Sequence, residues 1–232
     1  MTENEKLLRE QIAEFLTENG AGQVGFCHLD ADNPFSLAYA VSYTLPLSDT
    51  IVDQIDTAPT HTYFHHYRSV NALIDRLSLQ CGRMLDRAGY RYVPVPVSQS
   101  VQGLAGIFSH KLAAVSAGLG TVGRSGLFLS RENGPRVRLG TVLTDFPFES
   151  TQRPAMDSPC ENCMRCVSAC PAMAITGAAW KPGAPREEII DALACSQYMK
   201  QHFQQIGRGA VCGICMRVCP AGRKDGSCDE IR

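Results

Sequence analysis

Nine of the eleven cysteines in this 232-residue chain lie between Cys160 and Cys228, and their spacing limits what the chain can fold into more than any other feature. The run CENCMRCVSACP sets Cys160, Cys163, Cys166 and Cys170 at Cys-x2-Cys-x2-Cys-x3-Cys, with Pro171 after the last. This is the spacing of a 4Fe-4S ligand run in which three thiolates wrap one cubane and the fourth ligates a second. CGICMRVCP supplies the rest: Cys212, Cys215 and Cys219, again followed by a proline, Pro220. A full second run would have a cysteine where Gly209 stands, and Cys195 is the upstream replacement. The expected ligands are Cys160, Cys163, Cys166 and Cys219 for one cluster, and Cys170, Cys195, Cys212 and Cys215 for the other. Cys228 is spare. A zinc ribbon would show paired Cys-x2-Cys knuckles, usually without the Cys-Pro endings. Disulfides would need an oxidising compartment. One cluster suffices as a structural staple, so two argue for electron transfer.

The remaining chain sets the context. The formal charge is −1, from 22 basic and 23 acidic residues, so neither nucleic acid nor an anionic membrane is an expected partner. MTENEKLLREQIAEFL lacks the basic start and apolar core of a secretory signal. No run of about 18 apolar residues reads as a membrane span. A soluble, cytoplasmic protein is expected. The turn-rich stretch from Pro147 to Pro159 marks a boundary, giving a domain at 1–150 and a cysteine-rich domain at 151–232.

Within the first domain, residues 3–18 have helical periodicity, and 23–29 and 37–45 read as strands. A loop at 46–60 precedes a long helix at about 63–88. Residues 90–98 alternate like a strand, but their prolines place it at a sheet edge. A helix at 111–117 and a strand at 136–145 follow. AGLGTVGRSG contains Gly118, Gly120 and Gly123 in a G-x-G-x-x-G pattern. A dinucleotide fold needs a strand before that motif and a helix after it. Here a helix precedes and the apolar run GLFLS follows. A helix cap and tight turn account for the glycines, with close approach to a cofactor as the functional reading.

SHKLAAVSAGLGTVGRSGLFLSRENGPRVRLGTVLTDFPF, together with the cysteine segment, resembles the epoxyqueuosine reductase family, and most closely its short members with a double-cluster domain. The resemblance runs from about Tyr63 to Pro220. It implies an α/β (α+β) fold: a nitroreductase-like N-terminal domain, similar to the core of reductive dehalogenases, and a bacterial ferredoxin-like two-cluster module. It also implies a cobalamin reduced by the clusters; FMN is the alternative, because nitroreductase-like folds bind flavin. A ferredoxin or flavodoxin would donate the electrons. A small molecule or a partner protein would accept them. The family carries an Asp-Ser-Ala-Pro stretch whose aspartate is the proposed proton donor. This sequence has QGLAGIFSHK there, with no carboxylate between Gln99 and Ser109. Epoxyqueuosine itself is therefore not the expected substrate. The sequence also stops soon after the second cluster motif, where many members continue into helical repeats that help hold tRNA.

The resemblance puts His110 and Lys111 at the cofactor cavity, His110 as a general acid and Lys111 as an anion or cofactor contact; otherwise they are a surface pair at a helix start. Tyr43 ends a strand, where its phenol either reaches the cavity or packs in the core. Arg136 and Arg138 alternate onto one strand face and, with Arg131, suit a phosphate or carboxylate clamp or a solvated face. His61, His65 and His66 suit solvated or capping roles. Cys27 and Cys81 sit in apolar patterns as small core residues. These residues describe an iron–sulfur oxidoreductase, or alternatively a non-enzymatic electron carrier or reductive activator.

Overall fold

The computed structural model describes residues 2–29, 33–98, 104–151 and 153–221. Cys228 and residues 99–103 lie outside them. The chain forms two compact units that interleave in sequence. The first comprises 1–46, 69–120 and 138–156, and the second 47–68, 121–137 and 157–232. Residues 47–68 and 121–137, read as part of one domain at 1–150, belong with the cysteines.

In the first unit, helix α1 (Glu3–Glu18) opens on a capping box. The Glu5 N–H donates to Thr2 Oγ1 at 3.3 Å and the Thr2 N–H to Glu5 Oε2 at 2.6 Å, so each satisfies an N–H that the helix leaves unpaired. Its buried stripe is Ile12 and Leu16, while Leu7 is exposed. Strands β1 (Gln23–His28) and β2 (Tyr39–Pro46) pair antiparallel, with Gln23 opposite Thr44 and His28 opposite Tyr39.

The chain then enters the second unit with a one-turn helix, α2 (Asp49–Val52), inside the stretch expected to be loop. Helix α3 (His61–Arg87) begins there and continues into the first unit from residue 69. Strand β3 (Tyr92–Pro94) and helix α4 (His110–Ser116) follow. The Ser109 hydroxyl caps α4 by accepting from the Leu112 N–H. Strands β4 (Gly120–Val122) and β5 (Phe128–Ser130) form a hairpin, so the glycine-rich string leads into a strand rather than a helix. Strand β6 (Val137–Thr144) returns to the main sheet, whose order is β1-β2-β6-β3. β3 is thus an edge strand, where Pro94 costs no ladder bond.

Among the described residues, the cysteine-rich segment of the second unit carries three α-helices, α5 (Arg165–Ser168), α6 (Ala192–His202) and α7 (Ile214–Arg217). α5 and α7 pack together. Among the described residues, no helix is long and apolar enough to cross a membrane.

Candidate iron–sulfur centre

Two groups of thiols form in the second unit. Cys166 lies on α5, and Cys170 follows that helix directly. Cys215 lies on α7, with Cys219 just beyond it. The electrostatics sort these residues crosswise. Burial pushes the Cys219 thiol up to about 11, with further repulsion from Cys160, Cys166 and Cys163. Cys166 is raised by burial and then by Cys160 and Cys163. In the other group, burial raises Cys195 to about 11, helped by Cys212 and Cys170. Cys215 is raised by burial and then by Cys212, Cys195 and Cys170, with a last contribution from Cys166. Each helix therefore gives one thiol to each group. Cys195 arrives from α6, whose start is fixed by Asp191 accepting from the Ala194 N–H at 2.9 Å.

Four buried or half-buried thiols that repel one another as thiolates are a donor set for iron, whose positive charge removes the repulsion and drives the protons off. The first group also has a cavity of its own, lined by Cys160, Cys163, Cys166 and Cys219 together with Gly123, Ser125 and Leu129. A Cβ at Gly123 would stand 3.3 Å from Cys160 Sγ and 2.8 Å from Leu129 Cδ1, so a larger residue would narrow this space. The residues present thus fit a cubane. Among the described residues, no three His, Cys, Asp or Glu side chains gather closely enough for a single metal ion, as a zinc knuckle requires.

The close approach expected at a glycine of this string occurs at Gly123, where the neighbour is the Cys160 sulfur. Gly118 does something else. At φ +68° it ends α4, with the Leu119 N–H returning to the Ala114 carbonyl at 2.9 Å. A Cβ there would meet Arg153 Cβ at 2.8 Å. Gly120 starts β4. The three glycines fall in two different units and take separate local roles, which corrects their reading as one cofactor-binding motif. Sequence reasoning missed Arg124, which follows Gly123 and donates to the carbonyls of Cys160, Glu161 and Gly177.

In the first unit the candidate proton donors are tied to internal partners. Tyr43 lies inside β2, fully buried. Its hydroxyl donates to the Ile74 carbonyl at 2.9 Å and meets Ser78 Oγ at 2.8 Å. Burial raises its pKa. It is a core tyrosine, which corrects its placement at the end of a strand facing a cavity.

His110 is the first residue of α4. Its Nε2 faces the Pro96 carbonyl at 3.2 Å and its Nδ1 the Thr141 hydroxyl at 2.9 Å. A carbonyl only accepts, so Nε2 carries the proton and Nδ1 accepts from Thr141. Burial lowers the imidazole pKa from 6.5; Arg138 adds to this, while Pro96 and Asp75 oppose it. A group held neutral in the fold stabilises fully above its unfolded pKa and loses that contribution as pH falls through the folded one. His66, also lowered by burial while accepting from the Ser48 N–H at 3.0 Å, acts in the same direction. The melting temperature should therefore fall as pH drops below about 6.5, and less steeply in His110→Gln; parallel curves from pH 7.5 to 5 would show that His110 carries none of this dependence. Lys111, half-buried, takes the second position of α4.

Residues 159–222 match the family model described as 4Fe-4S double cluster binding domain. The epoxyqueuosine reductase of Staphylococcus aureus (strain NCTC 8325 / PS 47) is 34% identical over 121 residues, 51% of this chain and 30% of that protein. The tetrachloroethene reductive dehalogenase of Sulfurospirillum multivorans is 34% identical over 123 residues, 46% of this chain and 22% of that protein. The chain is similar in sequence, over about half its length, to epoxyqueuosine reductases and reductive dehalogenases. It spans less than a third of these two proteins.

Solved structures show the same fold at low identity. The catabolic reductive dehalogenase NpRdhA, in complex with 3-bromo-4-hydroxybenzoic acid, aligns with a TM-score of 0.74 at 21% identity, over 93% of this chain and 32% of that one. An epoxyqueuosine reductase with a tRNA-Tyr epoxyqueuosine-modified stem loop aligns with a TM-score of 0.61 at 18% identity, over 94% and 66%.

The arginines expected to clamp an anion have other partners. Arg136 precedes β6, is 2% exposed, and donates to Asp49 Oδ1 at 2.8 Å and Asp53 Oδ1 at 2.7 Å. Both carboxylates come from α2 and its C-terminal cap, all within the second unit. Arg138, inside β6, donates from Nε to Asn71 Oδ1 at 2.9 Å. Arg136 and Arg138 thus belong to different units, which corrects the reading of a shared clamp. Cys27 and Cys81 are buried, and burial pushes each thiol up to about 12, as suits small core residues.

Proposed function

We propose that this chain is an iron–sulfur oxidoreductase that relays single electrons through two 4Fe-4S clusters. Cys160, Cys163, Cys166 and Cys219 would hold the first, and Cys170, Cys195, Cys212 and Cys215 the second. The observation that carries this reading is the crosswise gathering of eight thiols, four of which share a cavity with Gly123. When bound, the clusters supply one-electron carriers. The protein's own residues would set their positions through α5, α6 and α7, and Leu129 lines the first site as an apolar wall. The acceptor we propose is a cobalamin, by similarity to the reductive dehalogenases, with FMN as the alternative in a nitroreductase-like N-terminal domain. A ferredoxin or flavodoxin would donate, and a small molecule other than epoxyqueuosine would be reduced.

A second reading is an electron carrier or reductive activator that does no chemistry of its own. It is favoured by Tyr43 and His110, whose polar atoms are both committed to internal partners. Anaerobic purification with iron and sulfide analysis tests the shared part. About eight irons and eight sulfides per chain are expected, four per cubane, and clearly fewer would sink the two-cluster reading. Absorbance titration with cobalamin and with FMN then separates the two readings: binding of neither would leave the carrier.

A further inference from the structure

The turn between β4 and β5 is tightly built. The Gly123 N–H donates to the Leu127 carbonyl at 2.9 Å, and the Gly126 N–H to the Gly123 carbonyl at 2.9 Å. Arg124 projects from this turn. Its Nε donates to the Cys160 carbonyl at 3.1 Å, its Nη2 to the Glu161 carbonyl at 2.7 Å, and its Nη1 to the Gly177 carbonyl. The planar guanidinium fork thus ties two separate loops together, the one that opens the cysteine run and the one that follows Cys170. From the other side, the Cys160 N–H donates to Ser158 Oγ at 3.4 Å.

The partners of Arg124 are all neutral carbonyls. Among the described residues, no carboxylate forms an ion pair with it. Its positive charge therefore stands uncompensated beside a group of four thiolates. A cation next to a cluster stabilises the reduced, more negative state, and groups outside the ligand shell tune a metal centre in this way.

We infer that Arg124 is the positioning residue of the first cluster: its fork holds the Cys160 loop, and its charge raises that cluster's reduction potential. The inference rests on the two-cluster reading. It gives the GTVGRSG turn a role in the iron–sulfur centre, in place of the nucleotide or cofactor turn its glycine pattern suggests. The fork and the charge are separable, because lysine keeps the charge but cannot reach three carbonyls at once.

The test compares Arg124→Lys and Arg124→Met with the wild-type holoprotein. Iron content, spectroscopic redox titration and the rate of cluster loss in air are measured on each. Hydrogen exchange of residues 158–163 is followed in the cluster-free proteins. In Arg124→Met, one of the two reduction steps should move to lower potential, with an equilibrium constant about tenfold smaller, or about 59 mV for one electron. The other step should stay in place. Arg124→Lys should keep the potential within about twofold, lose its first cluster several-fold faster in air, and exchange faster at 158–163.

Eight irons and an unmoved potential in Arg124→Met would overturn the electrostatic role. Wild-type exchange and cluster lifetime in Arg124→Lys would overturn the positioning role. If Arg124→Met retains only four irons, the potential of Arg124→Lys decides, and a large shift there overturns the inference. Wild-type protein with fewer than eight irons would instead sink the two-cluster reading, before any variant is made.

Discussion

Cys195→Ser is expected to lower the iron content from about eight to about four per chain, given four irons per cubane. Cys195 is the one proposed ligand outside both Cys-Pro runs, and it projects from α6 toward Cys212 and Cys170. Repulsion from those two residues helps raise its thiol to about 11, so it lies within electrostatic reach of both. None of the cysteines lining the first cavity belongs to that group, so the first cluster should survive with its own redox step intact. Iron analysis and a redox titration that shows one step instead of two would check this. Eight irons in the variant would mean that another residue completes the second site. Cys228→Ser should keep all eight irons.

Gly140→Ala should be the most destabilising single methyl that can be added to the main sheet. A Cβ at Gly140 would fall 2.2 Å from Cζ of Tyr43 and 2.6 Å from its hydroxyl oxygen. The ring cannot swing aside without breaking the hydroxyl contacts to Ile74 and Ser78, which lie in the core. Overpacking costs about 1–3 kcal/mol, and a buried hydroxyl stripped of its partners costs a similar amount again. A total of about 3 kcal/mol corresponds to a fall of about 6–12 °C in Tm for a chain of this size. Tyr43→Leu in the same background should recover part of the loss, because the two residues share one space. If the costs of Tyr43→Leu and Gly140→Ala simply add, the clash is not what destabilises the sheet.

What could be read from the sequence follows from how local each signal is. The capping box at Thr2 and Glu5 and the stripe through Ile12 and Leu16 lie within α1 itself, and the helix runs over the expected residues 3–18. The prolines of YVPVP restrict β3 locally and put it at the sheet edge. The cysteine spacing is likewise local. Helix α2 escaped because four residues are too few to show a period. Without it, Arg136 had no visible partners, and strand alternation paired it wrongly with Arg138. Gly123 and Arg124 were beyond reach for another reason. Nothing near them in the chain announces that Cys160 and Gly177 will fold against that turn.

The exchange of thiols between α5 and α7 also bears on biosynthesis. On the proposed ligand sets, a nascent chain that has just emerged through Cys170 contains no complete site, since each centre waits for cysteines at 212–219. Iron delivered to the unfinished chain would find only partial ligation, open to release or to oxygen. Loading should therefore follow release of the finished chain, and a truncation before Cys212 should accumulate without iron however much its growth medium supplies.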